Sequence, residues 1–442
     1  GLDQIEFKPE SKMAKEMGVF GQSQSDAVTL GGNLFKLWST DFHSSLSFSC
    51  NTTRHQDGFN HLKTGRLWVE NNSKEDKIQL RNQNHWQVSP KISLTMGVNW
   101  LHELNKDHYF LQERISEKGE RMPTLTIQGD QSSDMLGLHL ESRIDLSKRL
   151  ETILGVRLDH SDRDDLWWLS PRMAVSWQFL PHVNLNCAWG RYIQYLPPVF
   201  YSQVQDQMLR PPQADHSLLG LSWAMPRGVK LSLEFYHKGY RNLPIQRLHP
   251  DFFLMDEFSI NRGGLYLNQL ISEGSARSYG VEMILQKKLA QDFYGLLSFS
   301  WSKSEYQNSQ EEWLPRSFDN GFVFSVEGGY RPAKTWEISL RWTYAGGVPY
   351  TPFDLGKSQM LQTGVYDLFR INTQRYPDFH SLNVRMDKRF YFHLSSLIIY
   401  VNVLNAYNRK NIDRYYWNIP ENRQERADQL GIMPTLGIEY EF

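Results

Sequence analysis

The chain has 442 residues, with 48 basic and 49 acidic side chains and a pI near 7.0, so it lacks the cationic excess from which a nucleic-acid binder draws its affinity. No run of about 18 apolar residues occurs, and the most apolar stretch, Leu397 to Leu404, is far too short to cross a bilayer as a helix. Aromatic residues make up 13% of the sequence while mean hydropathy is −0.54, an average that strands with one greasy and one wet face produce.

Gly1 to Phe7 alternates imperfectly and runs into Lys8-Pro9-Glu10-Ser11, a turn cluster. Lys12 to Ser23 and Thr29 to Trp38 read as two further strands, and Ser44 to Arg54 as another after the break at Ser39 to His43. Cys50 alternates there with Leu46 and Phe48, and the second cysteine, Cys187, with Val183, Leu185 and Trp189. Both read as small residues on an apolar face, because a disulfide needs Cα atoms within about 7 Å and they sit on separate strands. No metal-ligand spacing surrounds either one, and Gly1 to Glu10 carries no secretory signal.

From Asp76 the pattern sharpens into hairpins. Ile78 to Val88 turns at Ser89-Pro90-Lys91 into Ser93 to Leu101, with Leu94, Met96, Val98 and Trp100 on one face. Leu136, Leu138, Leu140, Ile144 and Leu146 alternate with His139, Glu141, Arg143 and Asp145, and Ser147-Lys148 turns the chain into Leu150 to His160. Pro171 to Phe179 is followed by Val183 to Tyr192, and Leu218 to Ala224 by Val229 to Tyr240. Ser278 to Leu289 pairs with Phe293 to Glu305, Phe318 to Tyr330 with Trp336 to Tyr344, and Phe379 to Phe390 with Ser396 to Tyr407. Long polar and aromatic segments separate the hairpins: Arg54 to Glu75, Asp107 to Asp130, Tyr195 to Gln213, Arg241 to Glu273, Val348 to Asp378 and Asn408 to Gly431.

The last strand, Ile432 to Phe442, puts Leu436, Ile438, Tyr440 and Phe442 on one side and Thr435, Gly437, Glu439 and Glu441 on the other. Charged rows opposite apolar rows, with short turns on one rim and long loops on the other, predict an all-β fold: a transmembrane antiparallel β-barrel. The expected strands are about 10 to 13 residues long, enough for a tilted strand to cross. A soluble propeller would need regular blade repeats, and these loops differ too much in length. The count is about 19, and alternating backwards from a last strand that runs to the periplasm makes Gly1 to Phe7 run down as well.

Several segments together resemble the C-terminal part of a TonB-dependent outer-membrane receptor. They are L-S-P-R-M-A-V-S-W at 169–177, W-G-R-Y-I-Q at 189–194, A-R-S-Y-G-V-E-M-I-L-Q-K-K-L at 276–289, F-Y-G-L-L-S-F-S-W-S-K-S-E at 293–305, R-Y-P-D-F-H-S-L-N-V-R-M-D-K-R-F at 375–390 and Y-V-N-V-L-N-A-Y-N-R-K-N at 400–411. The chain also stops on an aromatic, Phe442. The resemblance implies residence in the outer membrane of a Gram-negative cell, with residues 1–442 forming part of a barrel of about 22 strands. It implies a C-terminal signal (Leu436, Ile438, Tyr440, Phe442) read by the barrel-assembly machinery, and import of a scarce bulky nutrient: a ferric chelate, a cobalamin-like molecule, a sugar or a peptide. Energy would come through TonB acting on a plug. Neither the family's plug nor its energy-coupling box is found in these residues. Three expectations follow: a fragment of a longer receptor, a plug on another polypeptide, or a barrel without active transport. Two rivals stay open, a passive porin of about 18 strands and a barrel that serves as scaffold in a larger outer-membrane assembly.

No phosphate-binding glycine loop, paired His-Glu zinc motif or nucleophile elbow appears, so an enzyme is not expected, nor a resident metal or cofactor. For a transporter, Trp167, Trp168, Arg191, Tyr192 and Tyr195 stand where an extracellular rim is expected, and such residues suit substrate capture. Trp and Tyr at strand ends equally suit the interfacial girdle. Arg385, Asp387, Arg389, Glu439 and Glu441 are expected to pair with one another or with a plug.

Overall fold

A computed structural model describes residues 2–11, 14, 18–202, 209–260, 269–290 and 292–442. Gly1, Gln291 of an expected turn and most of Lys12 to Met17 in an expected strand lie outside the described residues. One antiparallel sheet of 19 strands forms the body. One of these, Trp313–Pro315, is a three-residue piece paired to the end of a longer strand. The other eighteen follow one another as a meander. They are β1 (Leu2–Phe7), β2 (Val19–Leu37), β3 (Phe42–His61), β4 (Leu67–Ser89), β5 (Ile92–Leu111) and β6 (Leu125–Ser147). Next come β7 (Leu150–Ser161), β8 (Leu166–Leu180), β9 (Val183–Ile193), β10 (Gln213–Met225), β11 (Val229–Gln246) and β12 (Leu270–Ala290). The last six are β13 (Phe293–Gln307), β14 (Phe322–Ala333), β15 (Trp336–Ala345), β16 (Phe379–Tyr391), β17 (Ser396–Leu404) and β18 (Met433–Glu441). Among the described residues no pairing joins β1 to β18.

The tight turns fall where Pro, Gly and Ser interrupt the alternation. Between β10 and β11, Pro226 fixes the entry while Arg227 and Gly228 take positive φ of 60° and 73°, and the chain reverses with Met225 opposite Val229. These turns share one rim. At the other rim the long connections carry the helices Val199–Ser202, Leu254–Ile260 and Leu355–Leu361, the last capped by Asp354, whose carboxylate accepts from the Lys357 amide at 2.9 Å.

Four expectations change. Lys12 to Ser23 and Thr29 to Trp38 are not two strands, because Asp26 to Val28 keep their ladder partners Arg54 to Thr52 and the whole of β2 pairs with β3. The direction of β1 reverses with that merger: it runs antiparallel to β2, toward the loop rim. The expected loop at Arg54 to Glu75 shrinks to residues 62–66, and that at Asp107 to Asp130 to residues 112–124, since β3 to β6 extend past the membrane as polar ladders. Asn408 to Gly431 holds its own hairpin, Ile412–Asn418 with Arg423–Asp428.

The register sorts the side chains onto two faces. Leu80, Trp100, Leu136 and His160 share one row, and Cys187, Leu219, Phe235, Val281 and Trp301 another, all outward. Cys50 lies between Leu30 and Ile78 on the same side, and both cysteines are free thiols. The inner face carries charge in pairs. Arg157–Asp159 at 2.6 Å, Arg172–Glu141 at 2.9 Å, Arg331–Glu337 at 2.7 Å, Arg385–Asp387 at 2.5 Å and Arg389–Glu441 at 3.4 Å neutralise one another across and along strands. No described helix is long and apolar enough to cross a membrane; strands do the crossing, apolar side out. Leu436, Ile438 and Tyr440 on β18 stand exposed on that outer side opposite Val401, Ile399 and Leu397, and Phe442 ends the chain beyond them.

Two clusters of tightly buried apolar residues are in the loop layer. Leu196, Phe200, Leu209, Leu254 and Leu270 pack together, as do Leu243, Phe253, Ala276 and Tyr306. Connections from different hairpins are thus tied to one another over one mouth of the sheet.

Candidate functional site

Beneath that layer the inner faces of β3 to β7 and the segment after β9 enclose a cavity of about 590 Å³. Its wall is polar because every second residue of each strand points inward and these positions carry Asn51, Lys77, Gln79, Asn99, Glu103, Arg157 and Asp159. Its roof is the chain 193–198. Glu103, only 4% exposed, is the hinge of the charges. It accepts from Lys77 Nζ at 3.1 Å and Arg163 Nη2 at 2.6 Å, and Lys77 also reaches Glu75 at 2.6 Å. Arg163 then donates through Nη1 to the Leu196 carbonyl at 3.2 Å and lies over the Tyr201 ring at 4.9 Å, which fastens the roof to the wall.

Tyr195 lines this cavity. Its hydroxyl is buried with no hydrogen-bond partner among the described residues. Burial first, then the carboxylates of Asp164 and Asp159, push its phenol far up, so it stays a neutral donor and acceptor. Trp168 faces inward as well, and its indole N–H donates at 2.6 Å to Asp164, itself 2% exposed. Tyr192 is on the inner face beside His216, ring centroids 4.8 Å apart. Trp167 and Arg191 are placed differently. Trp167 packs against His160 on the outer face, and Arg191 points outward to Asp215 at 2.8 Å, a carboxylate it shares with Arg241.

A second cluster was not singled out from the sequence. Tyr350, Tyr376 and Tyr415 cluster with centroids 4.4, 5.2 and 5.3 Å apart, and Phe353 packs on Tyr366 at 5.4 Å and Trp417 at 5.9 Å. Burial raises the phenols of Tyr350 and Tyr376. The visible signal was the aromatic density of Val348 to Asp378 and Asn408 to Gly431; that the two segments meet was not readable. Gly347 allows the approach, because a Cβ there would collide with the Tyr376 carbonyl.

The arrangement offers neutral phenols and paired ions that can hydrogen-bond a polar, bulky guest. Among the described residues no cluster of three or more His, Cys, Asp or Glu is placed to hold a metal ion.

The fold is shared with solved outer-membrane receptors. The ferric-catecholate import receptor Fiu from K12 E. coli superposes with a TM-score of 0.67 at 9% identity, over 96% of this chain and 65% of that one. The ferripyoverdine receptor of Pseudomonas aeruginosa gives 0.70 at 10% identity, over 96% and 57%. The ferric yersiniabactin uptake receptor FyuA from Yersinia pestis gives 0.68 at 13% identity, over 96% and 61%. The chain therefore spans 57–65% of the length of these structures. A comparison with curated protein sequences finds no match. The family description "TonB dependent receptor-like, beta-barrel" matches residues 15–406, so the chain is an outer-membrane protein that belongs to the TonB-dependent receptor family through its β-barrel.

Proposed function

We propose that residues 1–442 act as the barrel of a receptor that captures a ferric chelate at its loop-covered mouth and passes it inward with energy from TonB. The observation that carries this is the cavity of about 590 Å³, walled by polar strand residues and roofed by 193–198. Its volume is within the range of about 300–1,000 Å³ that small-molecule sites occupy. The functions of the structural neighbours, import of ferric catecholate and uptake of ferric yersiniabactin among them, support the substrate class. Tyr195, Trp168 and Tyr192 supply contact area at the mouth, while Trp167 and Arg191, which face outward, serve the membrane boundary instead. Energy coupling would run through a plug in the lumen, where Arg385, Asp387 and the other inward charges offer it a polar wall. Leu436, Ile438, Tyr440 and Phe442 present the exposed apolar edge that the barrel-assembly machinery reads.

The test is tryptophan fluorescence of the purified protein titrated with ferric catecholate, ferric hydroxamate and ferric citrate. Saturable quenching by one class, weakened in R163A, is expected. Steady ion conductance in a planar bilayer with no quenching by any chelate would favour the passive-channel reading.

A further inference from the structure

The loop rim carries a second concavity, of about 500 Å³, beside the start of β16 and just beyond the end of β17. It is lined by Asp378, His380, Tyr407, Arg409, Lys410 and Arg426, with the neighbouring Pro377, Asn411 and Ile412. His380 lies opposite Tyr344 in the outward-facing register, and that row continues to Phe324, so the concavity belongs to the side of the sheet that meets lipid. Directly below it are the rings of an interfacial band. Tyr344 stacks on His380 at 5.9 Å and on Phe322 at 5.5 Å, with Trp342 5.9 Å away.

Three cations stand against one carboxylate in this lining, and the carboxylate is already engaged. Asp378 accepts from Tyr344 Oη at 2.6 Å and from the Gly347 amide at 3.1 Å, and its pKa is held down by those bonds. His380 Nδ1 and Tyr407 Oη are 2.7 Å apart, and Arg409 is fixed by bonds to the Asp378 carbonyl at 2.9 Å and to Asn411 Oδ1 at 3.1 Å. Arg426 leans on Asp428 at 2.9 Å. Lys410 is exposed and has no ion-pair partner among the described residues. Charged side chains lining a concavity that opens beside the outward His380, just above an aromatic band, lie at the level of the outer-leaflet headgroups, where an excess of cations attracts anionic lipid.

We propose that this concavity is a binding site for the phosphorylated headgroup of an outer-leaflet lipid, with Lys410 and Arg426 on the phosphate and Arg409 as the fixed base of the site. The rim of the barrel would then hold an annular lipid where β16 and β17 leave the membrane, beside the hairpin that meets the Tyr350, Tyr376 and Tyr415 cluster.

The test places the protein in phosphatidylcholine nanodiscs doped with diphosphoryl lipid A or with its dephosphorylated form, and measures retained lipid by native mass spectrometry. Retention of the phosphorylated form alone is expected, falling roughly five-fold for each charge removed in K410Q and R426Q. K91Q, in a turn at the opposite rim, should retain lipid like the parent. Equal retention of both lipid forms, or no loss in K410Q/R426Q with its heat-modifiable band intact, would overturn the proposal. Displacement by inorganic phosphate at equal concentration would also overturn it, by assigning the site to a free anion.

Discussion

Glu103 shows how single side chains decide the state of the mouth. Its carboxylate is buried and held by two cations, so taking one away leaves a partly compensated charge out of water. Arg163→Ala removes that partner together with the bond to Leu196 and the cover on Tyr201. A local cost of about 3 kcal/mol is expected, read as new proteolytic cleavage within 194–202 and weaker chelate binding. Lys77→Ala should be milder, because Arg163 still answers Glu103. If both variants resist protease like the parent, the roof is held by something other than this pair. Gly347→Val is the other sharp substitution: the branched side chain meets the Tyr376 carbonyl, so the tyrosine cluster should open. Tyrosine fluorescence polarisation and loop proteolysis would detect it.

At the scale of elements, the alternation of each strand makes a directional claim. Ile438→Arg or Leu382→Arg puts a cation on the outer face and should cost about 2–4 kcal/mol near the midplane, whereas Thr343→Arg on the inner face should cost much less. Loss of the heat-modifiable folded band in the first two and its survival in the third is the expected pattern; equal behaviour would reverse the faces. The loop layer has its own pH dependence. The Glu257 carboxylate is 3.1 Å from Lys118, whose ammonium lies over the Phe252 ring, and burial raises its pKa despite that cation. A carboxyl raised on folding contributes most below the ordinary value of 4.5, and the contribution is lost as pH rises through the folded value. Amide protection at 254–257 should therefore fall as pH rises above the ordinary carboxyl value of 4.5. Protection that rises instead would mean the ion pair with Lys118 governs.

The hairpins from Asp76 onward were legible because inside the membrane one face must be apolar, and that keeps the period of two visible, as in Leu94 to Trp100. The same strands above the membrane have water on both sides, so Arg54 to Glu75 lost the signal and read as loop although its backbone pairs on either side of residues 62–66. Parity also carries information about the rim: two residues beyond the apolar Trp189, Arg191 had to face outward, and the structure puts it on Asp215. The cavity was not legible. Lys77 and Glu103 are cross-strand partners in one hairpin, but Arg163 and Tyr195 come from other stretches, and only barrel curvature and the fold of the 193–198 segment bring them to that pair.

For the whole molecule the eighteen successive strands, the outward apolar rows and the covered mouth fit the proposed receptor, which would admit a bulky guest and exclude smaller traffic. The most direct measurement is accumulation of radiolabelled iron, supplied as chelate, by cells that express the protein from its own locus, with and without a proton gradient. Saturable uptake that stops when the gradient is collapsed, and that R163A weakens, is the predicted result. Uptake that rises linearly with concentration and ignores the gradient would contradict the account.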